Sequence, residues 1–360
     1  MNVVKATRQF EEWLALRTTI VSADLELKHR SMKEAAFPFL RATYYRWAQI
    51  WPSVCPELAK ASQLLAVGDL HIENFGTWRD IEGRLIWGVN DFDEAFPMSY
   101  ANDLVRLAVS AILAAAGDRL ALNQKNICDS ILSGYIESIE AKGRPYVLGE
   151  EHSWLRQIAE NELRDPVRFW QKMDALPTSR QKVPLSAVEA LDHLMPERDI
   201  ACRIVKRVAG LGSLGHQRFV AIADWHGGKI AREAKALVPS ASHWAWNKGP
   251  SEILYQAILA GAVRCPDPFV QLRGRWVVRR LGPYCSRIEL AVLRAPGQEL
   301  RLLHAMGWET ANIHLGTKNA RKSVLRHVKK QKAKWLQTAV REMLEAVRED
   351  WEVWKKDGYV

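Results

Sequence analysis

Three side chains set the chemistry open to this sequence. Asp69 and Asn74 lie five residues apart in V-G-D-L-H-I-E-N-F-G, and Asp91 follows in W-G-V-N-D-F-D-E-A. A positioned carboxylate accepts or orients the proton of a hydroxyl. An amide oxygen and a second carboxylate are hard ligands of the kind Mg²⁺ takes, one or two at a time, beside phosphate oxygens. An acid, an amide five residues on and an acid beyond a turn thus point to transfer of a phosphate group to a hydroxyl. Gly68 and Gly76 permit a tight backbone around the first two. His71, in the same loop, reads as a loop-packing residue before it reads as a base. Taken singly, each of these residues is more simply a turn residue bonding its own backbone; their joint spacing carries the functional reading.

The elements that must hold them follow from the local pattern. A strand ends at Leu64–Val67, a polar loop and a turn at Asp80–Gly83 follow, and a second strand runs over Arg84–Val89, so both strands deliver carboxylates to one rim. Asp93 and Glu94 then add metal contacts or stand solvated. Beyond Pro97, Asn102–Ala108 opens an apolar helix reaching about Ala116. Asp103 fits the cap of that helix, because a carboxylate there satisfies free N–H groups. Arg106, one turn on, is placed to pair with Asp103 or Asp93.

A second informative stretch runs from Arg203 to Ser240. Ile204–Val208 reads as a strand, Gly210-Leu211-Gly212-Ser213-Leu214-Gly215 is an unbroken G-x-G-x-x-G, and Arg218–Trp225 is a second strand. A dinucleotide-binding glycine turn must open a helix, whereas the residues after Gly215 alternate as a strand. Strand, glycine loop, strand, turn and strand form a phosphate-covering hairpin. Gly210, Gly212, Ser213 and Gly215 would then bind phosphates, with a lysine of the third strand reaching the same groups. Lys235 is the preferred lysine, with Lys229 and Arg232 as alternatives. A helix starting at Ser251 offers Glu252 as its acidic partner, with Glu233 as the rival.

These residues resemble known families. Gly68–Asn74 resembles the G-D-x-H-x-x-N loop of aminoglycoside and choline phosphotransferases, and Val89–Ala95 resembles their I-D-F-x-x-A metal motif. A closer resemblance is to the DUF2252 family, with G-D-x-H-x-x-N-F-G and N-D-F-D-E-A. The segment through Lys28, Phe37-Pro38-Phe39 and Arg41 fits that family's upstream pattern, with Ala36 and Ala42 in place of Ser and Gly. Lys235–Ser240 fits its K-E-A-x-P-S with Ala236 in place of Glu, and Trp276–Leu281 its Y-V-V-R-Q-L. Val67 stands where the phosphotransferases carry a buttressing His, so the buttress must differ. The resemblance implies Asp69 as the catalytic acid, Asn74 and Asp91 as metal ligands, Asp103 as a brace of the loop, and ATP and Mg²⁺ as cofactors. It also implies an α+β, protein-kinase-like two-lobed fold. The glycine loop follows the catalytic loop, and the first 66 residues read as helical, so the lobes are permuted in sequence. Residues 1–200 form a mainly helical catalytic lobe, 201–290 a small β-rich nucleotide lobe, and 291–360 a basic helical segment.

Composition sets the outer bounds. The 360 residues are 48% hydrophobic and 26% charged, ordinary for a globular chain long enough for two lobes. A net charge of +10 favours anionic partners. Five scattered cysteines without a C-x-x-C pair argue against a disulfide framework or a zinc site. The start of the chain has no apolar signal-like region, and the longest apolar run, Leu104–Gly117, is interrupted by Arg106; a cytoplasmic protein is expected. Residues 120–200 read as mostly helical; Glu150, Glu151 and His152 lack the i, i+4 histidines of zinc helices. The stretch Thr317–Val360 carries twelve Lys/Arg against six Asp/Glu on an amphipathic pattern. Its expected role is a packed helix with a basic outer face, and contact with nucleic acid or an acidic membrane is the less favoured alternative. The expected activity is ATP- and Mg²⁺-dependent phosphoryl transfer to a small-molecule hydroxyl. Nucleotidyl (AMP) transfer on the same fold and a non-catalytic nucleotide-binding module are the alternatives.

Overall fold

The computed structural model describes residues 1–117, 122–149, 151–161, 165–178, 182–288, 293 and 297–359. Glu150, the end of the helix expected to Leu163 and part of the loop expected over 176–184 lie outside the described residues. The fold is mixed α+β.

Helices α1 (Val3–Ala15), α2 (Ser22–Glu34), α3 (Ala36–Ala42), α4 (Tyr44–Val54) and α5 (Pro56–Ala59) precede the first strand. Residues 5–30, expected as helical, divide between α1 and α2, because Thr18, Thr19, Ile20 and Val21 form a β-branched run unfavourable to a helix. Strand β1 (Gln63–Ala66) leads into a single 3₁₀ turn at Ile72–Asn74, then β2 (Phe75–Arg79), β3 (Leu85–Val89) and β4 (Phe96–Ser99). The Phe75–Arg79 stretch, expected as loop, is a strand that pairs antiparallel with β3, from Phe75↔Val89 to Arg79↔Leu85. Asp80 closes this hairpin by accepting from the N–H groups of Glu82 and Arg84. β1 pairs instead with β4, so the two acid-bearing strands belong to different sheets.

The long apolar helix α6 (Tyr100–Gly117) is buried almost all round, and α7 (Gln124–Ala141) and the short β5 (Tyr146–Val147) follow it. Next come α8 (Ser153–Asn161), α9 (Pro166–Asp174) and α10 (Leu185–His193). Strands β6 (Arg203–Lys206), β7 (Arg218–Trp225) and β8 (Gly228–Ala236) precede helices α11 (Ala241–Trp246) and α12 (Tyr255–Gly261). After β9 (Gln271–Arg273) and β10 (Trp276–Leu281), the chain ends in α13 (Gln298–His314), α14 (Ala320–Val328) and α15 (Trp335–Asp357). The amphipathic tail is thus two helices, with Val324, Leu336, Val340, Met343 and Val347 buried. Among the described residues no helix is long and apolar enough to cross a membrane.

Strands β6 to β10 form one antiparallel sheet in the order β6-β7-β8-β10-β9. Alternation sends Phe219, Ala221, Ala234 and Val278 to one face, against Ala187 and Leu191 of α10. Val205, Val220, Ile222 and Ala231 go to the other, against Phe169 and Met173 of α9. Further along that second face the apolar side chains give way to charge. Arg218 lies opposite Lys235, and Glu233 opposite Arg279. The largest core joins α3, α4, α6, α7, α13 and α15 to the β2–β3 hairpin, and Trp47, Trp51, Trp87 and Trp354 are fully buried.

Helices α7 and α13 approach closely because each presents a glycine to the other's backbone. A Cβ on Gly134 would lie 2.0 Å from the His304 carbonyl oxygen, and one on Gly307 would lie 2.1 Å from that of Ile131. Gly134→Ala should therefore destabilise by about 3 kcal/mol, the upper end of overpacking costs. Gly117→Ala, whose new methyl meets nothing within 4 Å, should be neutral or slightly stabilising. Denaturant melts of the two variants check this; equal losses at both positions would contradict the close crossing.

Candidate functional site

The loop after β1 is held from behind by one buried carboxylate. Asp103, in the first turn of α6, accepts from the N–H groups of Val67 at 2.7 Å and Gly68 at 3.0 Å. It therefore caps the loop rather than its own helix. Nε2 of His314, at the end of α13, lies 3.0 Å from Asp103, and the His314 Nδ1 meets the Tyr135 hydroxyl at 2.9 Å. This chain supplies the buttress that Val67 cannot. Gly68 has φ +82°, and a side chain there would collide with the Glu94 carbonyl and the Tyr44 hydroxyl.

The loop's own polar residues then lock one another. Asn74 accepts from the His71 N–H at 2.6 Å, while His71 Nδ1 accepts from the Glu73 N–H at 3.2 Å. Burial, with Arg41 and Arg106 nearby, holds His71 well below the usual histidine range, so the ring is neutral. His71 is a cap of the 3₁₀ turn.

Asp69 faces the cleft with Arg106 at its back. One of its oxygens accepts from Arg106 Nε at 2.8 Å and also from Nη2. Arg106 is fully buried, donates to the Leu40 carbonyl and lies over the rings of Tyr44 and Trp47. The partner of Arg106 is thus Asp69, neither Asp103 nor Asp93. Burial raises the Asp69 pKa, and Arg106 opposes that rise.

Asp91 and Asp93 follow β3 and meet Lys235 of β8. Lys235 Nζ lies 2.5 Å from Asp93 and 3.4 Å from both oxygens of Asp91. Burial pushes both carboxylates up; Lys235, with Arg279 and Arg218, overcomes this for Asp91 and holds it low, whereas Asp93, beside the Asp91 charge, stays raised. Oδ1 of Asp93 is buried without a hydrogen-bond partner among the described residues. Glu94 accepts from Ser240 Oγ at 2.8 Å and the Ala241 N–H at 2.7 Å, yet burial still pushes it up to about 8.

Gly210–Gly215 is a chain of tight turns followed directly by β7. Lys28 Nζ donates to the Gly212 carbonyl at 3.1 Å, and a Cβ on Gly212 would stand 3.5 Å from Asp69 Oδ2, so this loop reaches the Asp69 loop. Arg218 Nη2 donates to Ser213 Oγ at 2.7 Å. Glu252 is exposed ahead of α12, because that helix starts only at Tyr255. Its rival Glu233 is fully buried and binds Arg207, Arg218 and Arg279 instead of Lys235. Lys229 pairs with Asp174 and Asp224, and Arg232 points to the other face, donating to the Leu194 carbonyl. Lys28 joins the cleft lining, Arg41 pairs with Glu73, and Arg30 is exposed.

Asp69, His71, Asn74, Asp91, Asp93 and Gly210–Ser213 of the glycine loop thus line one cleft of about 470 Å³, whereas Gly215, expected at the phosphates, faces Leu25 instead. Among the described residues no three acidic, histidine or cysteine side chains gather into a metal cage. The donor set of Asp91, Asp93 and the remaining lone pair of Asn74 nonetheless fits Mg²⁺, which keeps waters and phosphate oxygens in its shell. The orphaned Asp93 oxygen is the observation that asks for a further cation.

Residues 20–168 match the model of DUF2252, a family described as an uncharacterized protein conserved in bacteria. The match covers less than half of the chain. It spans the Asp69–Asn74 loop, the Asp91 turn, Asp103 and Arg106; the glycine loop, Lys235 and His314 lie beyond it. No curated protein and no solved structure matches the chain.

Sequence reading missed His314, Tyr135 and the gathering of Arg207, Arg218 and Arg279. A strand-spaced Glu233-x-Lys235, which puts both side chains on one face, was the available signal for the cluster. His314 has no local signal, since it lies 211 positions from Asp103.

Glu94 makes stability depend on pH. Its folded pKa of about 8 lies above the ordinary carboxylate value, so the folded state retains a proton that the unfolded chain releases. That contribution is full below about pH 4.5 and is lost as pH rises through about 8. Melts of wild type and Glu94→Gln from pH 5 to 8.5 should show the variant gaining on wild type as pH rises. A constant difference would remove Glu94 as the titrating group.

Proposed function

We propose that this protein is an ATP- and Mg²⁺-dependent phosphotransferase with a protein-kinase-like arrangement whose two lobes are permuted in sequence. The observation that carries the reading is the contact of Lys235 with Asp91, which are 144 positions apart. It sets the lysine of the glycine-loop sheet against the metal-type acid of the catalytic hairpin, with Asp69 lining the same cleft.

In this reading the triphosphate lies between Gly210–Gly215 and the β2–β3 hairpin, near Lys235. Asp91, Asp93 and Asn74 would hold Mg²⁺, whose chemistry is to neutralise charge on the β- and γ-phosphates. The acceptor hydroxyl sits against Asp69. Its oxygen forms the new bond to the γ-phosphorus, its proton passes to Asp69, and the bond from the γ-phosphorus to the bridging oxygen breaks to release ADP. Arg106 fixes the direction of the Asp69 carboxylate, while burial keeps it basic enough to accept the proton. Neutral, capped His71 takes no proton in this scheme.

Transfer of label from γ-³²P-ATP into a metabolite extract tests the reaction class. Label from γ- and not α-labelled ATP is expected; transfer from α-labelled ATP alone would mean nucleotidyl transfer instead. Asp69→Asn should lower kcat far more than it raises KM for ATP, since the carboxylate acts on the acceptor in the transition state. A loss confined to KM would contradict that role. Asp91→Ala should abolish turnover and flatten the Mg²⁺ dependence of ATP binding, measured by calorimetry, while leaving the fold intact.

A further inference from the structure

Three arginines of the cleft lining, from different parts of the sheet, converge on one fully buried carboxylate, and the proposed reaction leaves their excess charge unused. Arg207 follows β6, Arg218 opens β7 and Arg279 lies within β10. Glu233 of β8, fully buried, accepts from Arg218 Nη1 at 2.8 Å, from Arg279 Nε at 2.9 Å and from Arg207 Nη1. Burial would raise the Glu233 pKa, but the three guanidinium groups hold it well below the usual range, so it is ionised.

Counting charges separates two neighbouring subsites. Three arginines on one carboxylate leave two positive charges, while Lys235 on Asp91 and Asp93 leaves one negative once Asp93 is ionised and none while Asp93 keeps its proton. A carboxylate offers about four acceptor sites against roughly fifteen N–H groups on three guanidinium groups, so Glu233 can occupy only a minority of them. The planar fork of arginine matches phosphate oxygens two at a time. Arg207, Arg218, Arg279 and Ser213 all line the cleft, and the bond from Arg218 to Ser213 ties the cluster to the glycine loop.

We infer that Arg207, Arg218 and Arg279, fastened by Glu233, form a clamp for a chain of two or more phosphates, and that the clamp holds its anion without a divalent metal. The adjacent acidic subsite then takes the cation, so the pair suits a metal-bound polyphosphate better than a monophosphate or a carboxylate. The inference deepens the proposed function and rests on it only for what the far end of the ligand does at Asp91.

Calorimetric titration of the full chain with tripolyphosphate and with inorganic phosphate, in EDTA at low salt, tests the clamp. Tripolyphosphate should bind and inorganic phosphate should bind far more weakly. Arg207→Gln and Arg279→Gln should each weaken tripolyphosphate roughly tenfold or more, as expected for losing charge-assisted bonds. Arg279→Lys should recover part of that loss. Arg207, at the edge of the sheet, keeps the test usable if the Arg279 variants fail to fold, which circular dichroism reports. A parallel titration with ATP assigns the source of the phosphate chain; tighter binding of ATP, or equal binding, supports the clamp. The inference is overturned if wild type fails to bind tripolyphosphate without metal, or if the two Gln variants bind it as wild type does. Intact tripolyphosphate binding without γ-phosphate transfer would overturn the proposed activity and leave the clamp standing. Transfer without metal-free binding would do the reverse.

Discussion

The pairing of Lys235 with Asp91 and Asp93 is the contact on which the cleft depends. The lysine side chain is 3% exposed. An ammonium group that far from water costs several kcal/mol unless a partner charge is fixed beside it. Two carboxylates meet it, and they come from the loop after β3 rather than from the lysine's own sheet. The contact therefore pins the five-stranded sheet to the hairpin that carries Asp69 and Asn74. Once Asp93 ionises it also overcompensates, because one cation cannot neutralise two charged carboxylates. The remaining negative charge sits at a cleft wall whose next neighbours are arginines in excess. Cation-seeking and anion-seeking surfaces thus share one enclosure, as a metal-bound phosphate chain requires.

A second set of buried interactions leaves the front of the site open by tying down its back. Asp103 holds the backbone of Val67 and Gly68, His314 and Tyr135 hold Asp103, and Arg106 holds Asp69. A carboxylate left buried without these partners would be strongly penalised, so the network permits one arrangement of the loop. His314 comes from α13, which packs on α7 through facing glycines. The end of the chain therefore shapes a loop formed near its beginning.

The parts of this site legible in the sequence are those whose chemistry is local. Asp69, Asn74 and Asp91 announce themselves because a polar cluster with glycines interrupts two apolar stretches. The glycine loop was readable as a strand connector, since alternation after Gly215 has period two rather than 3.6. Pairing was not readable: Phe75–Arg79 is buried on both faces, which erases the alternation that marks a strand. Nor was the partner of Arg106, because helical spacing offered Asp103 nearby and the true partner lies across the loop. Amphipathic periodicity showed that Thr317–Val360 buries a face, but not that it does so as two helices joined to the large core, and the mostly helical reading of 120–200 did not show that α9 and α10 cover opposite faces of the sheet. Glu252 was placed by analogy of order alone, and the start of α12 at Tyr255 leaves it in water.

The most direct test of the central claim, that the Lys235 sheet and the Asp91 hairpin together hold a metal–triphosphate, is a crystal structure with Mg²⁺ and a non-hydrolysable ATP analogue. The account predicts the phosphate chain under Gly210–Gly215, with Mg²⁺ on Asp91 and the γ-phosphate facing Asp69. A nucleotide seated elsewhere, or phosphates with no contact to either Lys235 or Asp91, would contradict it.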